Sequence, residues 1–135
     1  MSKRKLIDTN LIVRYLVQDH EKHAKAAGKL FEACDRGEVV VVALPAVLAE
    51  CVFVLESFYN NPRTDIALAL SRFISSPGVE INELAIYLDA LERYKRTKVH
   101  FVDCVIAATA VVEDLPVATF DRDFSKFGDV RVEAE

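Results

Sequence analysis

No stretch of about 18 consecutive apolar residues runs through the chain, so no membrane-spanning helix is expected. An excess of positive charge is also missing: 17 Lys and Arg stand against 21 Asp and Glu, a formal net charge of −4. Nucleic acid therefore gains no attraction from the chain as a whole and would need a local basic patch, while a positively charged partner is favoured. Cys-x-x-Cys pairs do not occur, and Cys34, Cys51 and Cys104 all sit in apolar stretches. Such cysteines behave as small buried hydrophobes, and a reducing cytoplasmic setting is expected. The basic start Met1-Ser2-Lys3-Arg4-Lys5 leads into an apolar stretch broken by Asp8 and Asn10, so no signal peptide is expected. There is no Gly-rich phosphate loop and no Gly-x-Ser-x-Gly elbow. His20-Glu21-Lys22-His23 lacks the His-Glu-x-x-His spacing of a zinc helix and reads as a solvated helix start.

What is present is a chain of 135 residues, 52% hydrophobic and 28% charged, which suits one globular domain over residues 1–135. Leu6-Ile7 reads as a first strand, and Thr9-Asn10 can cap a helix through Val17. A second helix spans 20–36, with Ala27, Leu30, Phe31 and Cys34 on one face and Gly37 as its stop. The β-branched run Val39 to Val42 suits a central parallel strand covered on both faces. Pro45 can sit in the first turn of the next helix, and Asn60-Asn61-Pro62 breaks it. Helices are expected over 63–75, 83–95 and 101–112, with strands at 79–81, 117–120 and 130–132. Strands alternating with helices imply α/β architecture, three layers (α/β/α) around a mainly parallel central sheet.

Against this frame four acids stand out: Asp8, Glu50, Asp103 and Asp121. Each borders an apolar run, where a carboxylate needs a partner or a cation. In open parallel sheets, sites lie beyond the carboxyl ends of the strands, and all four acids can be brought to that edge. Taken singly, Asp8 and Asp103 could cap helices or complement a helix dipole, and Asp121 could form an Asp-turn. Glu50 has no basic residue within one helical turn. Gathered carboxylates repel and raise one another's pKa; a hard divalent cation with oxygen ligands reverses that penalty and would suit phosphodiester hydrolysis.

The segments Asp8-Thr9-Asn10, Glu50 after Pro45, Phe101-Val102-Asp103-Cys104-Val105-Ile106-Ala107-Ala108 and Thr119-Phe120-Asp121-Arg122-Asp123-Phe124 together resemble a PIN domain. The nearest branch is the VapC-type ribonuclease toxins of toxin–antitoxin modules. The resemblance covers nearly the whole chain in the right order. It implies a Mg²⁺- or Mn²⁺-dependent endoribonuclease that leaves a 5′-phosphate and a 3′-hydroxyl. Asp8, Glu50, Asp103 and Asp121 would be its catalytic, metal-holding acids, supported by Asn10, Thr119 and Asp123. It also implies a cognate VapB-like antitoxin and a homodimer, for which the aromatic-rich helices on either side of Asn60-Asn61-Pro62 are the expected surface. His100 stands where relatives often carry another acid; it reads as a rim residue or a satisfied helix-start side chain, the latter favoured. The densest basic run, Arg93-Tyr94-Lys95-Arg96-Thr97-Lys98, together with Arg14 and Arg122, offers contacts for RNA phosphates. Competing readings are a non-catalytic RNA- or protein-binding module on the same fold and a phospho-acceptor signalling domain. The latter would want an acidic pair after the first strand and a late Lys, where this chain has only Asp8 and Asp121.

Overall fold

A computed structural model describes residues 3–133. They fall into two compact units, one ending at Asn82 and the other beginning at Glu83.

The first unit runs β1 (Lys3–Leu6), α1 (Thr9–Val17), α2 (Glu21–Asp35), β2 (Val39–Val42), α3 (Pro45–Ser57), α4 (Arg63–Ile74) and β3 (Val79–Glu80). The valine strand is central, as its β-branched sequence predicts: β2 pairs in parallel with β1 on one side and β3 on the other. Val41 is fully buried, and Val40 and Val42 are half-buried. The register pairs Leu6 with Val42 and Val42 with Glu80, so the strand ends are level. The β1 ladder starts earlier than Leu6-Ile7 suggested, because a parallel partner satisfies the backbone of the charged residues Lys3 to Lys5 whatever their side chains.

Local chemistry sets the ends of the helices. Gln18 closes α1 in the left-handed region, its N–H donating to the Arg14 carbonyl at 3.0 Å. At Gly78 (φ +74°) a Cβ would stand 2.7 Å from the Cβ of Cys34, so only glycine lets the turn into β3 pass so close to α2. The Gly78 carbonyl there accepts from Val41 N–H at 2.7 Å. Apolar faces do the rest: Leu48, Cys51, Val52 and Leu55 of α3 and Ile66, Leu70, Phe73 and Ile74 of α4 are buried. Each large aliphatic side chain so covered contributes about 1.5–3 kcal/mol.

The second unit runs α5 (Leu84–Arg96), α6 (Phe101–Val112), β4 (Val117–Ala118), a 3₁₀ turn (Arg122–Lys126) and β5 (Val132–Glu133). Here β4 pairs in parallel with β5, Ala118 opposite Glu133. The parallel α/β pairing expected from the sequence thus holds in both units, in a three-stranded and a two-stranded sheet. β4 stops before Thr119, two residues short of the expected Phe120, because the Thr119 hydroxyl accepts from Asp121 N–H at 2.9 Å and turns the chain. Small buried residues on α6, Ala107 and Ala108, allow α5 to pack closely, with Tyr94 edge-on to Phe101 at 5.9 Å.

Arg93 corrects a sequence expectation. It was grouped with cations available to RNA, yet it is only 7% exposed. Its guanidinium donates to Asp129 through both terminal nitrogens, at 2.8 and 2.6 Å, and to Asp89 at 2.9 Å. It also lies 5.2 Å from the Phe127 ring centre. Three of its five N–H donors are taken by two carboxylates and the group is almost wholly buried, so it is poorly available to phosphate, and burial without those acids would be costly.

The Asp129 carboxyl is held below the ordinary range, chiefly by its hydrogen bond from Arg93. Its stabilising contribution is therefore complete above the unfolded carboxylate pKa and is lost as pH falls through the lower folded value. Asp129 is half-exposed, so Asp129→Asn should cost about 1–2 kcal/mol at pH 7, below the full range for a charged hydrogen bond. The gap between variant and parent should close on acidification. Thermal unfolding from pH 7 to pH 2 checks this; parallel curves for the two proteins would remove the pair from the stability of this unit.

Candidate active site

In the first unit, Asp8 follows β1 and is the N-cap of α1. Its backbone is extended (φ −104°, ψ 174°), and Oδ1 accepts from Leu11 N–H at 2.9 Å. The cap reading of Asp8 is thus correct, and it occupies one carboxylate oxygen. The next residue, Thr9, donates its hydroxyl to Oε1 of Glu50, which sits in α3. Cys51, the residue after Glu50 in α3, is fully buried, and its thiol is pushed up to about 12 by burial and then by the charges of Glu50 and Asp8. The charges of both acids thus reach Cys51, and Thr9, next to Asp8 in the chain, bonds Glu50. Thr9 was named only as a helix start; its role toward Glu50 depends on a residue 41 positions away and has no local signal. Asn10 is exposed and, with Asp8, Leu11, Arg14, His23 and Leu30, lines a groove of about 320 Å³ along α1 and α2.

In the second unit, Asp103 lies in the first turn of α6 and is half-buried. Its carboxyl is raised above the ordinary range by burial, then by the charge of Asp121; His100 opposes the shift and Asp123 adds to it. Asp121 caps the 3₁₀ turn, accepting from Asp123 N–H at 2.8 Å, while its own N–H donates to Thr119 Oγ1. Thr119 and Asp123 thus hold Asp121 through its backbone and carboxylate. Asp123 also pairs with Lys126 at 3.4 Å. His100 occupies the N-cap position of α6 and makes no side-chain capping bond.

Two corrections follow. The sequence placed all four acids in apolar company, but Asp8, Glu50 and Asp121 are exposed and only Asp103 is half-buried. Helix starts and strand ends interrupt the burial that apolar neighbours in sequence suggest. Several candidate phosphate contacts are also engaged in ion pairs. Arg14 pairs with Asp19 at 3.0 Å, Lys95 with Glu92 at 3.0 Å and Arg96 with Glu92 at 3.6 Å. Lys98 and Arg122 are exposed.

Among the described residues, neither unit by itself gathers three or more His, Cys, Asp or Glu side chains as a metal cage. What each unit offers is a carboxylate pair: Asp8 with Glu50, and Asp103 with Asp121. None of these four forms an ion pair within 4.0 Å among the described residues, whereas Asp19, Asp89 and Asp129 each hold an arginine. Oxygen-only donors lacking a basic partner fit a hard divalent cation.

Comparison with known proteins adds the following. The family model described as PIN domain matches residues 5–130. Among solved structures, the crystal structure of VapBC2 from Rickettsia felis bound to a DNA fragment from their promoter is similar at 16% identity. That match covers 97% of this chain and 98% of that chain, with a TM-score of 0.42. No curated protein matches.

The raised Asp103 carboxyl makes a signed prediction for the metal-free protein. Between the unfolded and the higher folded pKa the folded state keeps a proton that the unfolded state has lost, so stability falls as pH rises through that window. Asp103→Asn cannot ionise. In chelator it should match the parent at low pH and become the more stable of the two as pH rises past the ordinary carboxylate range. Denaturant melts at a series of pH values measure this; a variant less stable at neutral pH would show that the ionised carboxylate supports the fold.

Proposed function

The chain belongs to the PIN domain family, and from that premise we propose that it is a metal-dependent endoribonuclease, the toxin of a toxin–antitoxin pair. PIN domains are generally nucleases that use a divalent metal. The observation that carries the reading is that Asp8, Glu50, Asp103 and Asp121 are the family-motif acids and have no arginine or lysine partner among the described residues, while other acids nearby do. The toxin assignment rests on the sequence motifs around these residues.

Asp8, Glu50, Asp103 and Asp121 would hold Mg²⁺ or Mn²⁺. The bound cation supplies compensation for the negative charge that develops on a phosphodiester during hydrolysis. The chain's own residues supply orientation. The Leu11 amide fixes one oxygen of Asp8, the Thr9 hydroxyl fixes Glu50, and the Asp123 amide fixes Asp121. Asn10, Thr119 and Asp123 are supporting residues. Lys98 and Arg122, which are exposed, would meet RNA phosphates, contacts that position a substrate without reading its sequence.

For assembly, the α3–α4 region carries the exposed aromatic surface that a homodimer or an antitoxin would cover. Phe53 is 66% and Phe58 75% exposed. Tyr59, expected to join them, is half-buried, its hydroxyl donating to Asp19 at 2.7 Å. Exposed apolar clusters mark interfaces, and two-fold dimers are the commonest homo-oligomers.

Two outcomes test these proposals. RNA should be cleaved with Mn²⁺ and not with chelator. Asp8→Asn, which keeps a good cap, should fold normally yet lose on the order of 100-fold in rate and most of the thermal stabilisation by Mn²⁺. A variant that is less stable in chelator but keeps the full Mn²⁺ response would leave Asp8 as a cap alone. Separately, Phe53→Ser with Phe58→Ser should lower the mass seen by light scattering or abolish antitoxin capture. A parent that is monomeric at high concentration and gains no mass with antitoxin would retire the interface.

A further inference from the structure

One side chain beside the second carboxylate pair has no role in the account so far. Phe120 is 87% exposed, the most exposed of the large apolar residues. A lone exposed apolar residue is ordinary, but this one differs in three respects. Its backbone is anchored on both sides: Thr119 N–H donates to the Glu133 carbonyl at 3.2 Å, and Asp121 N–H donates to Thr119 Oγ1 at 2.9 Å. It directly precedes Asp121, whose carboxylate is fixed in turn by the Asp123 amide at 2.8 Å. On the far side of Asp121 stands exposed Arg122. An aromatic face, a carboxylate and a guanidinium thus follow one another on a short, pinned segment.

Resting on the nuclease reading above, we infer that Phe120 is a stacking platform for a nucleobase next to the phosphate being cut. Each base has a flat π face, and stacking on an aromatic side chain is tolerant of sequence. Inside an A-form duplex both faces of a base are already covered by its neighbours. The platform therefore accepts a base only from a single strand, loop or bulge, where bases can be splayed out. Arg122, two residues on, suits the backbone of that nucleotide. The platform is a specificity and positioning element: it adds no acid or base, and its energy is available to bound substrate and transition state alike.

Steady-state cleavage of a short unpaired RNA and of the same RNA annealed to its complement, in Mn²⁺, tests the inference. The parent should cut the unpaired strand in preference. Phe120→Ala should raise KM roughly 5- to 150-fold with kcat little changed, as expected when uniform binding is lost. Phe120→Trp should restore KM, and Phe120→Leu should not. The dependence of KM on salt should keep its slope, because no phosphate contact is removed. Phe120→Leu behaving as the parent would overturn stacking in favour of a merely apolar contact. Phe120→Ala behaving as the parent would overturn the platform, as would a parent that cuts the duplex equally well. A change in the mass of Phe120→Ala by light scattering would assign the side chain to an interface between copies instead. If the parent cuts no RNA although Mn²⁺ is present, the nuclease reading fails and the platform with it; every other negative result removes the platform alone.

Discussion

Parallel strand pairing is the constraint on which the placement of the candidate residues depends. In a parallel ladder every strand ends at the same edge, and each following helix must start there. With Leu6, Val42 and Glu80 level in the first unit, Asp8 at the start of α1 and the first turns of α3 emerge side by side. The hydrogen bond from Thr9 to Glu50 then needs only side-chain reach. In the second unit the pairing of Ala118 with Glu133 sets where β4 ends and Thr119 turns. Backbone hydrogen bonding settles these positions before any side-chain chemistry acts.

Charge is then distributed in two ways. Asp129 and Asp89 share one buried arginine, and Asp19 takes Arg14 together with the Tyr59 hydroxyl, which with Arg14 holds its carboxyl below the ordinary range. These acids are neutralised within the fold. Asp8 and Asp121 receive backbone amides instead, and Glu50 a hydroxyl. An amide orients a carboxylate without cancelling its charge. The same contact that caps a helix therefore orients the carboxylate while leaving the side chain exposed, so a capping role at these positions does not exclude the proposed one.

Much of this was legible in the sequence. Helix stripes, the valine strand, Gly37 and the Asn60-Asn61-Pro62 break placed the elements, because each signal acts within a few residues. The acids were legible as a set through their motifs. Partners distant in sequence were not. The burial of Arg93 depends on Asp129, 36 residues further on, and nothing in the basic run at 93–98 distinguishes Arg93 from Lys98. Exposure of the acids was misjudged for a related reason: an apolar neighbour in sequence points elsewhere once the chain turns. The shortening of β4 came from a threonine hydroxyl competing with the ladder, a contest that β-propensity does not describe.

The cysteines carry a practical consequence. All three are buried. Burial raises the thiols of Cys34 and Cys51, the latter to about 12 with two acids beside it. Thiolate is the species that reacts with alkylating reagents, and burial disfavours it at Cys34 and Cys51. A cysteine introduced at an exposed position such as Lys98 would then be the one thiol that a maleimide dye or spin label finds. Burial of the three native cysteines is thus a reason to try site-specific labelling for spectroscopy before replacing any of them.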